Sequence, residues 1–139
     1  MMRTPIVCAA LALLTATASA QRGDTTKPPP APAGQPQSLF TTAQAARGEK
    51  VYENVCVECH EKLEYTGAEF RSKWNNRSAF ELWDLLRSTM PDEKPGTLSA
   101  QEYSDVVAYM MRLNGVPPGK VELPKDEVAL KKIRIVIPK

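Results

Sequence analysis

The sequence predicts an all-α fold with about three main helices, and three observations carry that prediction. Two Ser-x-x-Glu capping boxes, Ser78 with Glu81 and Ser99 with Glu102, each open a stretch of apolar residues at helical spacing. Helix-ending signals follow both stretches: Met90-Pro91 after the first, Asn114-Gly115 and Pro117-Pro118 after the second. Before residue 120, no stretch alternates apolar and polar side chains as a half-buried strand would.

Taken in chain order, residues 1–20 read as a secretory signal peptide. Arg3 supplies the positive start, residues 6–14 the apolar core, and Ala18-Ser19-Ala20 a small-residue cleavage site. That core is too short to cross a bilayer, and Cys8 precedes most of it, which argues against a lipoprotein. Residues 21–38 form a Pro-rich linker with Pro28-Pro29-Pro30, Pro32 and Pro36, since proline fixes φ and donates no hydrogen bond. The folded domain is expected over residues 39–116. Its first helix is capped by Thr41 or Thr42 and runs from Ala43 to about Val55, with Gly48, Tyr52 and Val55 on connected faces. The second is signalled by the Ser78 box followed by Leu82, Trp83, Leu85 and Leu86. The third carries Tyr103, Val106, Val107, Met110 and Leu113 on its apolar side. In the C-terminal tail, residues 117–139, a short helix is expected from Asp126 to Lys132. Ile133, Ile135 and Ile137 then alternate as an extended segment that packs back across the domain.

Composition narrows the function. Lys plus Arg number 18 and Asp plus Glu 16, so nucleic-acid binding driven by bulk positive charge is disfavoured. No apolar run reaches the ~18 residues of a membrane-spanning helix, so no transmembrane segment is expected in the mature chain. His60 is the one histidine, which excludes any site built on two imidazoles.

Cys56-Val57-Glu58-Cys59-His60 is Cys-x-x-Cys-His, the attachment sequence for c-type haem. Two thiols three residues apart can each add to a vinyl group on one porphyrin edge, and the adjacent imidazole then serves as the proximal iron ligand. Three rivals are weaker. A thioredoxin-like pair wants a preceding strand, and here a helix precedes. Structural zinc needs four ligands, and only Cys56, Cys59 and His60 remain once the signal carrying Cys8 is removed. A disulfide between Cys56 and Cys59 would be strained and would close almost no loop.

From these residues the sequence resembles a class I c-type cytochrome, a single-haem, His/Met-ligated, exported bacterial type, over about residues 39–115. Gly48, Tyr52 and Cys56, spaced by four, match the family's N-terminal helix, and Val106-Val107-Ala108-Tyr109 its C-terminal helix. The resemblance implies a small cytochrome c fold around one covalent haem, with Val106 and Tyr109 against Gly48 and Tyr52. It places the axial methionine in a Met-Pro loop, which is Met90 here, 30 residues beyond His60. Met110 suits pocket packing better. If Met90 only fills the pocket, the iron is five-coordinate. The residues after His60 depart from the family pattern, lacking its Gly and Pro, so no backbone acceptor for His60 is implied. Tyr65 and Trp74 are candidates to bind a haem propionate, with plain aromatic packing an equal alternative for each.

The expected function is that of a one-electron carrier, not an enzyme, working in the periplasm between a dehydrogenase as donor and an oxidase or other cytochrome as acceptor. The alternatives are a haem subunit of an enzyme complex, such as a quinoprotein dehydrogenase or terminal oxidase, and a ligand-binding haem sensor if Met90 leaves the iron open. Residues 39–116 carry 9 basic and 12 acidic side chains, net −3, and residues 117–139 carry 6 and 3, net +3. Only moderate electrostatic steering of a partner is therefore expected, with apolar contact around the haem edge carrying most of the docking.

Overall fold

The computed structural model describes residues 39–139, so the expected signal peptide and Pro-rich linker lie outside the described residues. Helix α1 (Thr42–Val51) begins at Thr41, whose hydroxyl oxygen accepts from the Gln44 N–H at 3.0 Å. Periodicity predicts that this helix runs on to about Val55. Instead the backbone widens after Val51 into a π-helical turn (Tyr52–Cys56), closed by the Val57 N–H donating to the Tyr52 carbonyl at 3.0 Å. A short 3-10 turn (Lys62–Tyr65) and α2 (Gly67–Trp74) follow. Then come α3 (Ala79–Thr89), α4 (Ala100–Leu113) and α5 (Glu127–Lys132). Both capping boxes are present, at Ser78 and Ser99, and the carboxylate of Asp126 caps α5. There are thus five α-helices among the described residues: the three main ones and the short tail helix that the sequence predicts, and α2, which it does not.

Helix α4 is the centre of the fold. Residues 103–111 are all buried, so this stretch of the helix has no solvent-exposed face. It crosses α1 at Gly48, where a Cβ would stand 1.8 Å from the Asp105 carbonyl oxygen and 2.9 Å from the Val106 nitrogen. Only glycine permits that approach. One turn on, the rings of Tyr52 and Tyr109 meet at 5.5 Å between centroids. Beside the crossing, Arg47 donates two hydrogen bonds to the buried Asp105 carboxylate, at 2.8 and 3.0 Å, and two more to Glu122. These acceptors, Asp105 first, hold the Arg47 guanidinium well above its ordinary pKa.

The C-terminal segment is part of this core. The fully buried Gln44 side chain pairs with both main-chain groups of Leu123, donating at 2.9 Å and accepting at 2.7 Å. Further along, the Ile135 N–H donates to Arg77 and its carbonyl accepts from Asn76, at 2.9 and 2.8 Å. Leu123, Leu130, Ile135 and Ile137 are buried. Every large apolar side chain so covered contributes roughly 1.5–3 kcal/mol.

Candidate functional site

The π turn decides where Cys56 points, because widening the helix by one residue re-aims the side chains that follow. Beyond it the chain winds back tightly: the N–H groups of Cys59 and His60 both donate to the Cys56 carbonyl, at 3.2 and 3.0 Å. Tyr52 then reaches forward from the same turn and donates its phenol proton to the His60 carbonyl at 2.6 Å. Cys56 is half-buried and Cys59 is exposed. Burial pushes the Cys56 thiol up. Among the described residues, no three His, Cys, Asp or Glu side chains converge as a metal site of their own.

After His60 the 3-10 turn is closed by a capping box in which Glu61 and Glu64 exchange hydrogen bonds. The Glu64 carboxylate does double duty. Its Oε1 accepts from the Glu61 N–H at 3.3 Å, and its Oε2 lies 3.0 Å from His60 Nδ1. These two contacts, the imidazole first, hold the Glu64 carboxyl below its ordinary pKa. An ionised carboxylate can only accept, so Nδ1 carries the proton and Nε2 of a neutral imidazole is the nitrogen left with a lone pair. Tyr65 closes this side, edge-on to Tyr52 at 6.1 Å and to His60 at 5.5 Å. Burial pushes its phenol pKa up.

Met90 arrives from the end of α3. It is the C-terminal cap in extended conformation, its N–H donating to the Leu86 carbonyl at 2.8 Å. Its own carbonyl accepts from the Tyr103 phenol at 2.7 Å. Cys56, Cys59, His60 and Met90 all line one cavity of about 280 Å³, with Leu86, Val106 and Met110 among its apolar walls. Two thiols, an imidazole and a thioether around an apolar space are a donor set suited to a covalently held iron porphyrin. Of the two aromatics weighed for the propionates, Tyr65 lines this cavity. Trp74 instead lines a neighbouring one of about 170 Å³, with Lys73 and Arg77 over its ring at 5.4 and 5.1 Å to the centroid. Glu58, Asp92 and Glu93 also line the main cavity, and no lysine or arginine does among the described residues.

Glu64 and Tyr103 are the site residues that sequence reasoning did not single out. For Glu64 a signal existed, its i,i+4 spacing from His60. Tyr103 reads as plain core, because nothing in one helix announces that its hydroxyl will meet a loop 13 residues earlier.

Residues 43–110 match the family model described as cytochrome C oxidase, cbb3-type, subunit III, a stretch a little under half the chain that contains Cys56, Cys59, His60 and Met90. No curated protein and no solved structure matches the chain.

Proposed function

We infer, from a chain whose residues 43–110 form a c-type cytochrome domain with covalently bound haem c, that it is a one-electron carrier for other redox proteins. One observation carries the reading: Cys56, Cys59, His60 and Met90 stand around one cavity with apolar walls. Haem bound there supplies a one-electron Fe(III)/Fe(II) couple. Cys56 and Cys59 would hold its edge through thioethers. His60 Nε2 and the Met90 sulfur would hold its iron, and with both bound the group would supply electron transfer and not substrate chemistry. Leu86, Val106 and Met110 give this space apolar walls, which with a thioether ligand would favour the reduced state. Tyr52 and Tyr103 hold the main chain of the two donor residues.

A second reading, an electron-transfer subunit of an oxidase, is favoured by the family match itself. The signal-peptide pattern read in residues 1–20 supports work in the periplasm for either. The test is the absorption spectrum of protein produced with haem-attachment machinery. A carrier shows one haem per chain, the sulfur-to-iron charge-transfer band and no carbon monoxide binding, and Met90→Ala removes the band and admits carbon monoxide. Carbon monoxide binding by the unaltered protein would overturn the closed-iron reading. Co-purification with an oxidase at physiological salt would favour the subunit.

A further inference from the structure

We propose that Glu64 is a positioning residue for His60, a charged partner that fixes the imidazole and strengthens Nε2 as an iron donor, lowering the midpoint potential. The inference rests on the reading of His60 as an axial ligand.

Four bonds hold this arrangement, each from a different donor. Glu64 Oε2 faces His60 Nδ1 at 3.0 Å, and Oε1 is tied to the Glu61 N–H at 3.3 Å. The His60 carbonyl is held by Tyr52 at 2.6 Å, and the turn that bears Glu64 is anchored where the Asn114 amide donates to the Tyr65 carbonyl at 2.6 Å. Ring, carboxylate and backbone therefore cannot turn independently. A ligating histidine needs a partner for its second nitrogen, and that partner sets ring orientation and donor strength. Most often the choice lies between a neutral carbonyl and a carboxylate. Here the acceptor carries a full charge, draws the Nδ1 proton toward itself and leaves Nε2 more basic. A more basic donor favours the oxidised metal. Glu64 thus opposes the thioether and the apolar walls, which favour the reduced state. Its side chain is half exposed, so water screens part of the effect.

The test uses the haem-loaded full chain at fixed pH and salt. Glu64→Gln keeps an acceptor and removes the charge. Glu53→Gln removes an equal charge from a side chain that does not itself line the cavity and whose ionic partner is Lys62, at 4.0 Å. Glu64→Gln is expected to lower the Fe(III)/Fe(II) ratio at a fixed electrode potential by up to about tenfold, equivalent to ~59 mV for one electron. Glu53→Gln should change it less than about twofold by through-water Coulomb effects alone. In the Met90→Ala background, the ferrous iron–histidine stretching band in resonance Raman should fall in frequency on adding Glu64→Gln. Loss of stability alone moves neither readout. Equal potential shifts from the two glutamine variants, with an unmoved stretching band, overturn the inference and leave the carrier reading intact. A wild-type chain that takes up no covalent haem overturns both.

Discussion

The Tyr103 phenol donates a 2.7 Å hydrogen bond to the Met90 carbonyl, and Tyr52 does the same for His60 at 2.6 Å. Each candidate iron donor is therefore held by a tyrosine rooted in one of the two crossing helical segments. Both phenols spend their proton on a main-chain carbonyl, so they fix where the donor residues sit without competing with their side chains. Tyr103→Phe should cost about 1 kcal/mol, the usual net worth of such a bond. The sulfur-to-iron charge-transfer band should also melt below the temperature at which helix is lost, measured by absorbance and circular dichroism on one sample.

Cys56→Ala or Cys59→Ala should sharply reduce the yield of stable holoprotein. The cavity is central to a domain of this size, and a domain that small buries too little apolar surface to spare its largest core component. Pyridine haemochrome assay and proteolysis of purified variants would show it; normal yields of folded, haem-free protein would contradict it.

Gly48→Ala drives a methyl group into the Asp105 carbonyl at the helix crossing. No side chain there can yield, since the obstruction is backbone. A loss on the order of 3 kcal/mol or more is expected in denaturant unfolding.

Acid sensitivity has a named contributor in Glu81. Arg77 at 2.6 Å, then the Ser78 N–H at 2.8 Å, hold its carboxyl down to about 2 from an ordinary value of 4.5. A depressed folded pKa means the stabilisation is present above 4.5 and is lost as pH falls toward 2. Its exposed position screens the effect, which stays small. Melting temperature should fall across that window, and Glu81→Gln should flatten the fall.

Salt should change electron-transfer rates with a redox partner by well under the ~10-fold lower end of strong electrostatic steering. The cavity lining carries Glu58, Asp92 and Glu93, while the positive excess sits in residues 117–139. Deleting that segment is no test of its charge, because Ile135 and Ile137 belong to the core. Lys132→Gln with Arg134→Gln, compared across an ionic-strength series, isolates the charge; a steep salt dependence that disappears in this double variant would contradict the expectation.

What could be read from residues alone follows the locality of each signal. Helices α3 and α4 begin and end where their capping boxes and prolines say, because those signals act within four residues. Helix α2 lacks them: Thr66 makes no side-chain cap, Gly67 opens the helix at φ +81°, and only Phe70 and Trp74 are buried. The π turn leaves no mark in an apolar pattern that tolerates one residue of slippage between Tyr52 and Val55. At the site, the Cys-x-x-Cys-His spacing exposes three residues at once, and Met90 is legible through Pro91. Glu64 has only its i,i+4 spacing from His60 to mark it, and a search for a backbone acceptor looks past a side chain that an exposed turn would place in solvent.

The bonds of Gln44 to Leu123 span 79 residues and those of Arg47 to Asp105 span 58. Helix α1 thus meets its partners late, after α4 and the final segment have been synthesised, and such distant closure is slow. Cys56 and Cys59 sit at the end of that waiting helix. Until those distant contacts close, the thiol pair stays open to whatever enzyme attaches the cofactor.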